Sequence, residues 1–348
     1  MDYVTINPVN LHNLARVAEI KKFLSGYDLA FDADIDYCLV AMKGNQIIGT
    51  CSKSGKVIKC LAVSKAYRGE GLSADLVKMI IDRLFDEGHP HYFVFTQPEK
   101  TDLFENLNFK SIYAGEKVAL LEGGITSIKG QLDKLSSEIK TTPSLKRIAL
   151  VMNCNPFTLG HLHLVEKAAS TGKEVLLFVV EEDRSSFHFS DRMAMVREGT
   201  KHLGNVTVLP GSDYIISQAT FPSYFIRKTD ERTAAFMEMD AAIFSLYFSQ
   251  WFDIGTRYVG EEPFCQVTRL YNAVLERVLS TYNITLVKIP RLVIGDDAVS
   301  ASRVRRYLRE GQSEAIKTLV PKSTWQFILE TSKGKEAVAR ICKNDTPH

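Results

Sequence analysis

The chain has almost no excess charge: 43 Lys and Arg stand against 41 Asp and Glu, a formal net charge of +2. That balance removes the global electrostatic case for nucleic acid or an anionic membrane, so any anion site has to be a local arrangement. Cysteine is sparse as well. The six (Cys38, Cys51, Cys60, Cys154, Cys265 and Cys342) form no CxxC pair, and they read as reduced, mostly buried thiols. No apolar run is long enough to span a bilayer. The opening "MDYVTINPVNLHN" has neither a basic n-region nor an apolar h-region, so no secretory signal is read there. Internal repeats and low-complexity tracts are absent too. The expectation is a cytoplasmic protein, and 348 residues point to two domains.

What is present divides by periodicity. Leu11–Leu24 has a helical pattern, and "YCLVAMKGNQIIGTCSK" reads as a hairpin turning at Lys43-Gly44-Asn45. A strand, a glycine-containing loop and a long amphipathic helix follow, with Leu76, Ile80, Ile81 and Leu84 on its buried stripe and Gly88 at its end. "HYFVFTQ" is another strand, and Thr101–Leu107 a short helix. This mixture predicts a small α/β domain over 1–124. Residues 125–144 read as a helical connector. Ile128, Leu132, Leu135 and Ile139 form its stripe, Thr126 or Ser127 caps it and Pro143 ends it. From 145 to 348 strands alternate with helices, which predicts a Rossmann-like parallel sheet with helices on both faces and a helical C-terminus.

The sharpest chemistry lies in "NCNPFTLGHLHLVEKAA", directly after the buried strand "RIALVM". Ligands of parallel α/β sheets bind beyond the carboxyl ends of strands, where helix N-termini offer unsatisfied N–H groups and partial positive charge. Gly160 permits close approach of backbone to a ligand, and His161 can donate to a phosphate oxygen. His161 and His163 are two apart on a helix, so they do not form a shared metal site as an i,i+4 pair would. His163 reads as a partly buried helix residue. A second helix mouth opens at Val299-Ser300-Ala301-Ser302-Arg303-Val304-Arg305. Its hydroxyls suit phosphate, with Arg305 one turn later as a planar bidentate cation. Arg184 and Arg192, in "EEDRSSFHFSDRMAMVREG", are further candidates for phosphate contact. Glu261 and Glu262 stay open between orienting a nucleotide or metal and shaping a turn.

With these residues set out, a resemblance can be named. "NPFTLGH" is similar to the (H/T)xGH signature of the nucleotidyltransferase superfamily, with Thr158 and His161 at the signature positions. Val299–Arg305 resembles that superfamily's C-terminal ISSTxxR motif, departing at Ala301. The longer "VMNCNPFTLGHLHLVEKAA" resembles the citrate (pro-3S)-lyase ligase family. In the first domain "AYRGEGLSADLV" resembles the pyrophosphate loop of Gcn5-related N-acetyltransferases. Arg68, Gly69, Gly71 and Ser73 are the candidates there for holding a coenzyme-A-like group, Ser73 standing where Gly or Ala is usual. No convincing general base is visible, with Glu70 in the loop and Tyr113 near the domain's end, so a non-catalytic binding module is favoured over an acetyltransferase.

The lyase-ligase resemblance covers nearly the whole chain, and the order of the two domains is more specific than either motif. It implies an ATP-dependent ligase that joins acetate, through an acetyl-adenylate, to the thiol of the dephospho-CoA-derived prosthetic group on the acyl carrier subunit of citrate lyase. AMP and pyrophosphate are the products. Thr158, His161 and Arg305 are the catalytic candidates; Asn155, Phe157, Gly160, Arg184, Arg192, Ser300 and Ser302 are those for binding ATP. Mg2+ would accompany the phosphates with few protein ligands, and no protein metal site is read. The alternatives are an adenylyltransferase acting on a phosphopantetheine-like acceptor and an acyl-CoA-sensing regulatory protein.

Overall fold

Hairpin-forming runs early in the chain and alternating strand–helix units later produce two large, separate sheets. The computed structural model describes residues 3–139, 145–181, 185–215, 229–261, 266–295 and 297–343. It divides into one unit of Met1–Gly130 with Phe221–Met239, and another of Gln131–Thr220 with Asp240–His348. Pro143 lies outside the described residues.

The first unit contains β1 (Val4–Pro8), α1 (Leu14–Ser25), β2 (Tyr37–Lys43), β3 (Gln46–Ser54), β4 (Val57–Val63), α2 (Leu72–Asp86), β5 (His91–Thr96), α3 (Thr101–Glu105), β6 (Lys110–Ala114) and β7 (Ala119–Gly124). The sheet order is β1-β2-β3-β4-β5-β7-β6. Only β4 and β5 pair in parallel, and their pairing is confined to Val57–Phe93 and Ile58–Val94. The reason is local. Cys60 and Leu61 together oppose Cys51, a bulge in which Cys60 takes φ 55°, and such bulges bend a strand away from its neighbour. Helix α2 buries Leu72, Leu76, Val77, Ile80 and Leu84. It ends with the His89 N–H donating to Leu84 O and the Gly88 N–H to Phe85 O, a Schellman closure with Gly88 at φ 78°. Helix α4 (Ile128–Ser136) spans the boundary between the units. Ser127 Oγ accepts from Gly130 N at 3.3 Å, and Ile128, Leu132 and Leu135 are buried. Ile139 falls beyond the helix end.

The second unit repeats strand and helix: β8 (Arg147–Met152), α5 (Leu159–Ala169), β9 (Val175–Val179), α6 (Phe189–Thr200) and β10 (Val206–Pro210). Helix α7 (Thr229–Ile243), whose residues up to Met239 count with the first unit, a π-helical stretch (Phe244–Phe248) and the short α8 (Ser249–Trp251) lead to β11 (Ile254–Gly260). Then come α9 (Gln266–Thr281), β12 (Thr285–Ile289), a small pair β13 (Val293–Ile294) and β14 (Asp297–Ala298), and helices α10 (Ala301–Arg309), α11 (Lys322–Glu330) and α12 (Ser332–Lys343). The five strands β8 to β12 are all parallel, in the order β10-β9-β8-β11-β12. The chain starts at the centre, runs outward through β9 and β10, and restarts on the other side at β11. The gap between β8 and β11 is therefore the topological switch point, where open parallel sheets bind ligands. The near-continuous burial of "RIALVM" and "VLLFV" is what a strand covered on both faces requires.

Packing around the first βα turn is tight. Phe157 is fully buried, and a Cβ added at Gly199 of α6 would fall 2.6 Å from its ring. Alanine would normally strengthen a helix relative to glycine by about 1 kcal/mol. Here the buried ring has no room to give, and overpacking costs roughly 1–3 kcal/mol. Gly199→Ala is therefore expected to lower stability in a denaturant titration, the reverse of the propensity effect.

Candidate active site

The turn after β8 is shaped by its own side chains. Cys154 takes φ 54°, the Asn155–Pro156 bond is cis, and Thr158, extended at φ −116° and ψ 166°, caps α5. Thr158 Oγ1 accepts from the His161 N–H at 3.3 Å, while the Thr158 N–H donates to His161 Nδ1 at 3.0 Å. This is a capping box with histidine at the third position, where glutamate is more usual. Since Nδ1 accepts from a backbone N–H, it carries no proton, and the neutral ring holds its proton on Nε2. Burial, with a smaller contribution from the charge of Arg291, pushes the His161 pKa down to about 4. The ring stacks on Phe157 at 6.0 Å and 9°. His161 at neutral pH is thus an uncharged hydrogen-bond donor at a helix mouth. Of the first three amides of α5, Leu159 N donates to Leu319 O and His161 N to Thr158. The Gly160 N–H makes no backbone hydrogen bond outside the helix among the described residues.

The second helix mouth lies against the first. Ser300 caps α10, accepting from Arg303 N at 3.2 Å, and its Oγ is 3.0 Å from that of Ser302. A Cβ on Gly160 would come within 3.0 Å of Val299 O, which is the physical demand for glycine in TLGH. Arg305 Nη1 donates to Asn155 O, fastening α10 to the β8–α5 turn.

Between them is a cavity of about 310 Å3. Its floor includes Val151 and Met152 of β8, Gly260 of β11 and Ile289 of β12, the carboxyl ends of three adjacent parallel strands. Thr158, Gly160, His161 and Ser300 line it, as does Ala301, the departure from the superfamily motif. The two motifs, about 140 residues apart in sequence, therefore share one cavity at the switch point.

Other candidates fall elsewhere. Asn155 is 6 % exposed and Phe157 0 %. Asn155 Oδ1 accepts from Phe187 N at 3.1 Å, so both support the turn from beneath. Ser302 and Arg305 do not line the cavity, and the Arg305 contact to Asn155 makes it a strut between the motifs. Arg192 departs most from expectation. It is 0 % exposed, its Nε donating to Phe187 O and its Nη1 to Asn153 O, Asn153 Oδ1 and Val180 O. A solvent-facing arginine free to reach phosphate does not fit that geometry. The guanidinium binds the ends of β8 and β9 to the start of α6. Arg184 and Glu262 lie outside the described residues.

Two wall residues escaped the sequence reading. Arg291, two residues past β12, lines the cavity and its Nε donates to Glu261 O at 3.0 Å. The available signal was a cation just beyond the carboxyl end of a parallel strand, in "KIPRL". His163 is partly buried, as expected of a helix residue, and also lines the cavity, which extends along α5 to Leu164.

In the first unit, Arg68, Gly69 and Ser73 line a cavity of about 490 Å3 with Leu61, Ala62, Val63 and Lys100. It opens where β4 leaves β5. Gly71, at φ 84°, caps α2 from the left-handed region, and Gly69 takes φ 86°; both need glycine for conformational reasons.

Residues 147–328 match the model of the citrate lyase ligase C-terminal domain. A citrate (pro-3S)-lyase ligase of Escherichia coli is 36% identical over 334 residues, covering 93% of this chain and 94% of that one. This chain belongs to the citrate lyase ligase family. The ligase of Klebsiella pneumoniae is 33% identical over 334 residues, 94% of this chain and 97% of its own. Residues 13–122 match an acetyltransferase (GNAT) domain model, so this citrate lyase ligase family member carries both expected folds, in the expected order. A phosphopantetheine adenylyltransferase of Symbiobacterium thermophilum is 39% identical over 67 residues, only 19% of this chain and 41% of its own. Among the described residues of the ligase-family chain, no helix is long and apolar enough to cross a membrane. Of its described cysteines, Cys38, Cys51, Cys60 and Cys154 are buried and Cys342 is exposed. Burial pushes the Cys154 thiol up to about 12.

Proposed function

We propose that the second unit binds ATP at the switch-point cavity and uses it to activate acetate, and that the acetyl group passes to the thiol of the prosthetic group on the acyl carrier subunit of citrate lyase. The observation that carries this reading is the pair of capped helix mouths, Thr158–His161 and Ser300, facing one cavity in a chain of this family. A carboxylate oxygen of acetate attacks the α-phosphorus, the bond to the β-phosphate breaks and pyrophosphate leaves. The carrier thiol then attacks the acetyl carbon and AMP departs, the thiol proton passing to solvent. No covalent enzyme intermediate is needed, so positioning and charge stabilisation do the catalysis. Gly160 N–H, His161 Nε2–H and the Ser300 hydroxyl supply preorganised donors to phosphate oxygens.

Among the described residues no three His, Cys, Asp or Glu side chains converge to hold a metal ion, and Glu261 is the one acidic residue on the described cavity wall. That donor set fits a Mg2+ carried by the triphosphate. When bound there it would neutralise phosphate charge.

In this reading residues 145–348 perform the ATP chemistry, 1–124 hold the pantetheine arm of the carrier and 125–144 connect them. Arg68→Ala and Gly71→Val are expected to raise the KM for thiol-form carrier protein while leaving acetate-dependent pyrophosphate release intact. An unchanged carrier KM would reject the arm-holding role. The overall reading is tested by pyrophosphate release from ATP with acetate, and separately with phosphopantetheine, each with and without carrier. Release that ignores acetate but follows phosphopantetheine would sink the ligase reading in favour of an adenylyltransferase.

A further inference from the structure

The cavity wall changes character across the sheet. On the β12 side it carries the apolar Ile289, Pro290 and Leu292, and the capped mouths of α5 and α10 contribute Thr158, His161 and Ser300. Toward β9 stands Asn153, the residue that follows β8. Asn153 is exposed, but its amide is not free to turn. Its Oδ1 accepts from Arg192 Nη1 at 2.8 Å, and the same nitrogen donates to Asn153 O at 2.7 Å and to Val180 O, just past β9, at 2.8 Å. A guanidinium can only donate, so the carbonyl end of the amide faces Arg192 and the NH2 end faces away. One N–H of Nδ2 reaches Ser185 Oγ at 3.3 Å, in the loop between β9 and α6. The other N–H has no acceptor among the described residues.

Attack of a carboxylate on ATP needs the nucleoside, the departing pyrophosphate and the acid held at once, with acid and pyrophosphate in line across the α-phosphorus. Apolar walls suit a nucleobase, and helix mouths suit phosphates. For the acid, a neutral N–H has a chemical advantage. It fixes one carboxylate oxygen and leaves the other its charge for the attack. Asn153 offers such a donor. Because Oδ1 is turned to Arg192, it sets no acceptor against an incoming carboxylate. We propose that Asn153 is the acid-binding residue: an Nδ2–H donates to one carboxylate oxygen of a short acid and holds the other oxygen toward the α-phosphorus. This assignment rests on the ATP-dependent ligase reading and names the residue that would receive its acid.

The test uses the full chain with Asn153→Ala and Asn153→Asp, each checked for wild-type circular dichroism. The KM for acetate is measured in pyrophosphate release, and the affinity for α,β-methylene-ATP by calorimetry. In the wild-type chain saturated with that analogue, the Asn153 side-chain NH2 resonances are followed by NMR through an acetate titration. For Asn153→Ala the acetate KM is expected to rise about 10- to 100-fold, the span set by losing a hydrogen bond to a charged group. Its affinity for the analogue should stay within about threefold. Asn153→Asp is the sharper variant. An aspartate of the same size still accepts from Arg192 and spares the turn, but it sets a like charge against the acid. Its acetate KM should rise at least as far as that of the Ala variant, whereas a purely structural asparagine would tolerate the change. The NH2 resonances should shift saturably with acetate. An unchanged acetate KM in the Ala variant overturns the proposal, as does an Asp variant that uses acetate like wild type. So does a parallel loss of analogue affinity in the Ala variant, which would assign Asn153 to the triphosphate, and so do NH2 resonances that acetate leaves unmoved. A wild-type chain that releases no pyrophosphate with acetate overturns the ligase reading and this assignment with it. Wild-type release with unaffected variants overturns only the Asn153 assignment.

Discussion

His161→Ala is expected to slow acetate-dependent pyrophosphate release on the order of a hundredfold or more, the usual effect of deleting one preorganised donor to a developing oxyanion. The geometry specifies which atom matters. Nδ1 is committed to the Thr158 N–H at 3.0 Å, so Nε2 is the donor. His161→Gln, which keeps an amide N–H at similar reach, should recover part of the rate. Near-normal turnover in the Ala variant would leave His161 as a helix cap alone. The pH profile separates the two roles of histidine. With its pKa pushed down to about 4, His161 stays neutral across the neutral range and should add no titration step between pH 6 and 8; such a step assigned to His161 by NMR would contradict the donor role. Stability follows the same shift. Between the folded pKa near 4 and the ordinary value of 6.5, the unfolded chain binds more protons. Stability is therefore full above about 6.5 and declines as acid is added through that window, by at most ~3 kcal/mol for this group.

Arg192→Leu is expected to destabilise the second unit by about 3–5 kcal/mol, the range for removing one member of a buried, hydrogen-bonded charged network. The deletion strands Phe187 O, Asn153 O and Val180 O, all of which accept from this guanidinium. Thermal unfolding should show a loss of roughly 10 °C for a unit of this size, before any effect on ATP binding is considered. A variant that melts like wild type but binds ATP weakly would return Arg192 to a phosphate-contact role. The same logic separates Arg305 from the wall residues. Its bond to Asn155 O couples the two motifs, so substitution there should disturb the shape of the turn as well as ATP affinity.

Much of the first site was legible because its causes are local. A buried strand, a Thr that caps, a Gly that admits a neighbouring carbonyl and a His three residues past the cap all lie within one short stretch. Their hydrogen bonds are to each other. The Ser300 cap was legible for the same reason. Arg192 was not. In "SDRMAMVREG" an arginine beside other charged residues has the pattern of a solvated helix face. It is buried only because Asn153, 39 residues earlier, and Val180, 12 residues earlier, bring carbonyls to it. Arg291 was missed for a related reason: nothing near "KIPRL" reveals that its strand ends beside the first helix mouth.

By itself, then, the sequence determined the two α/β folds and their order, the two phosphate-type helix mouths and the family, since periodicity, capping and motif spacing act over a few residues. Only the tertiary structure decided that the two mouths share one cavity, that Arg192 and Arg305 are tied to the turn after β8, and that Arg291 lies on the cavity wall. Those outcomes depend on sheet order. The chain begins at the central strand β8 and restarts beside it at β11, and that switch brings distant segments to one strand edge.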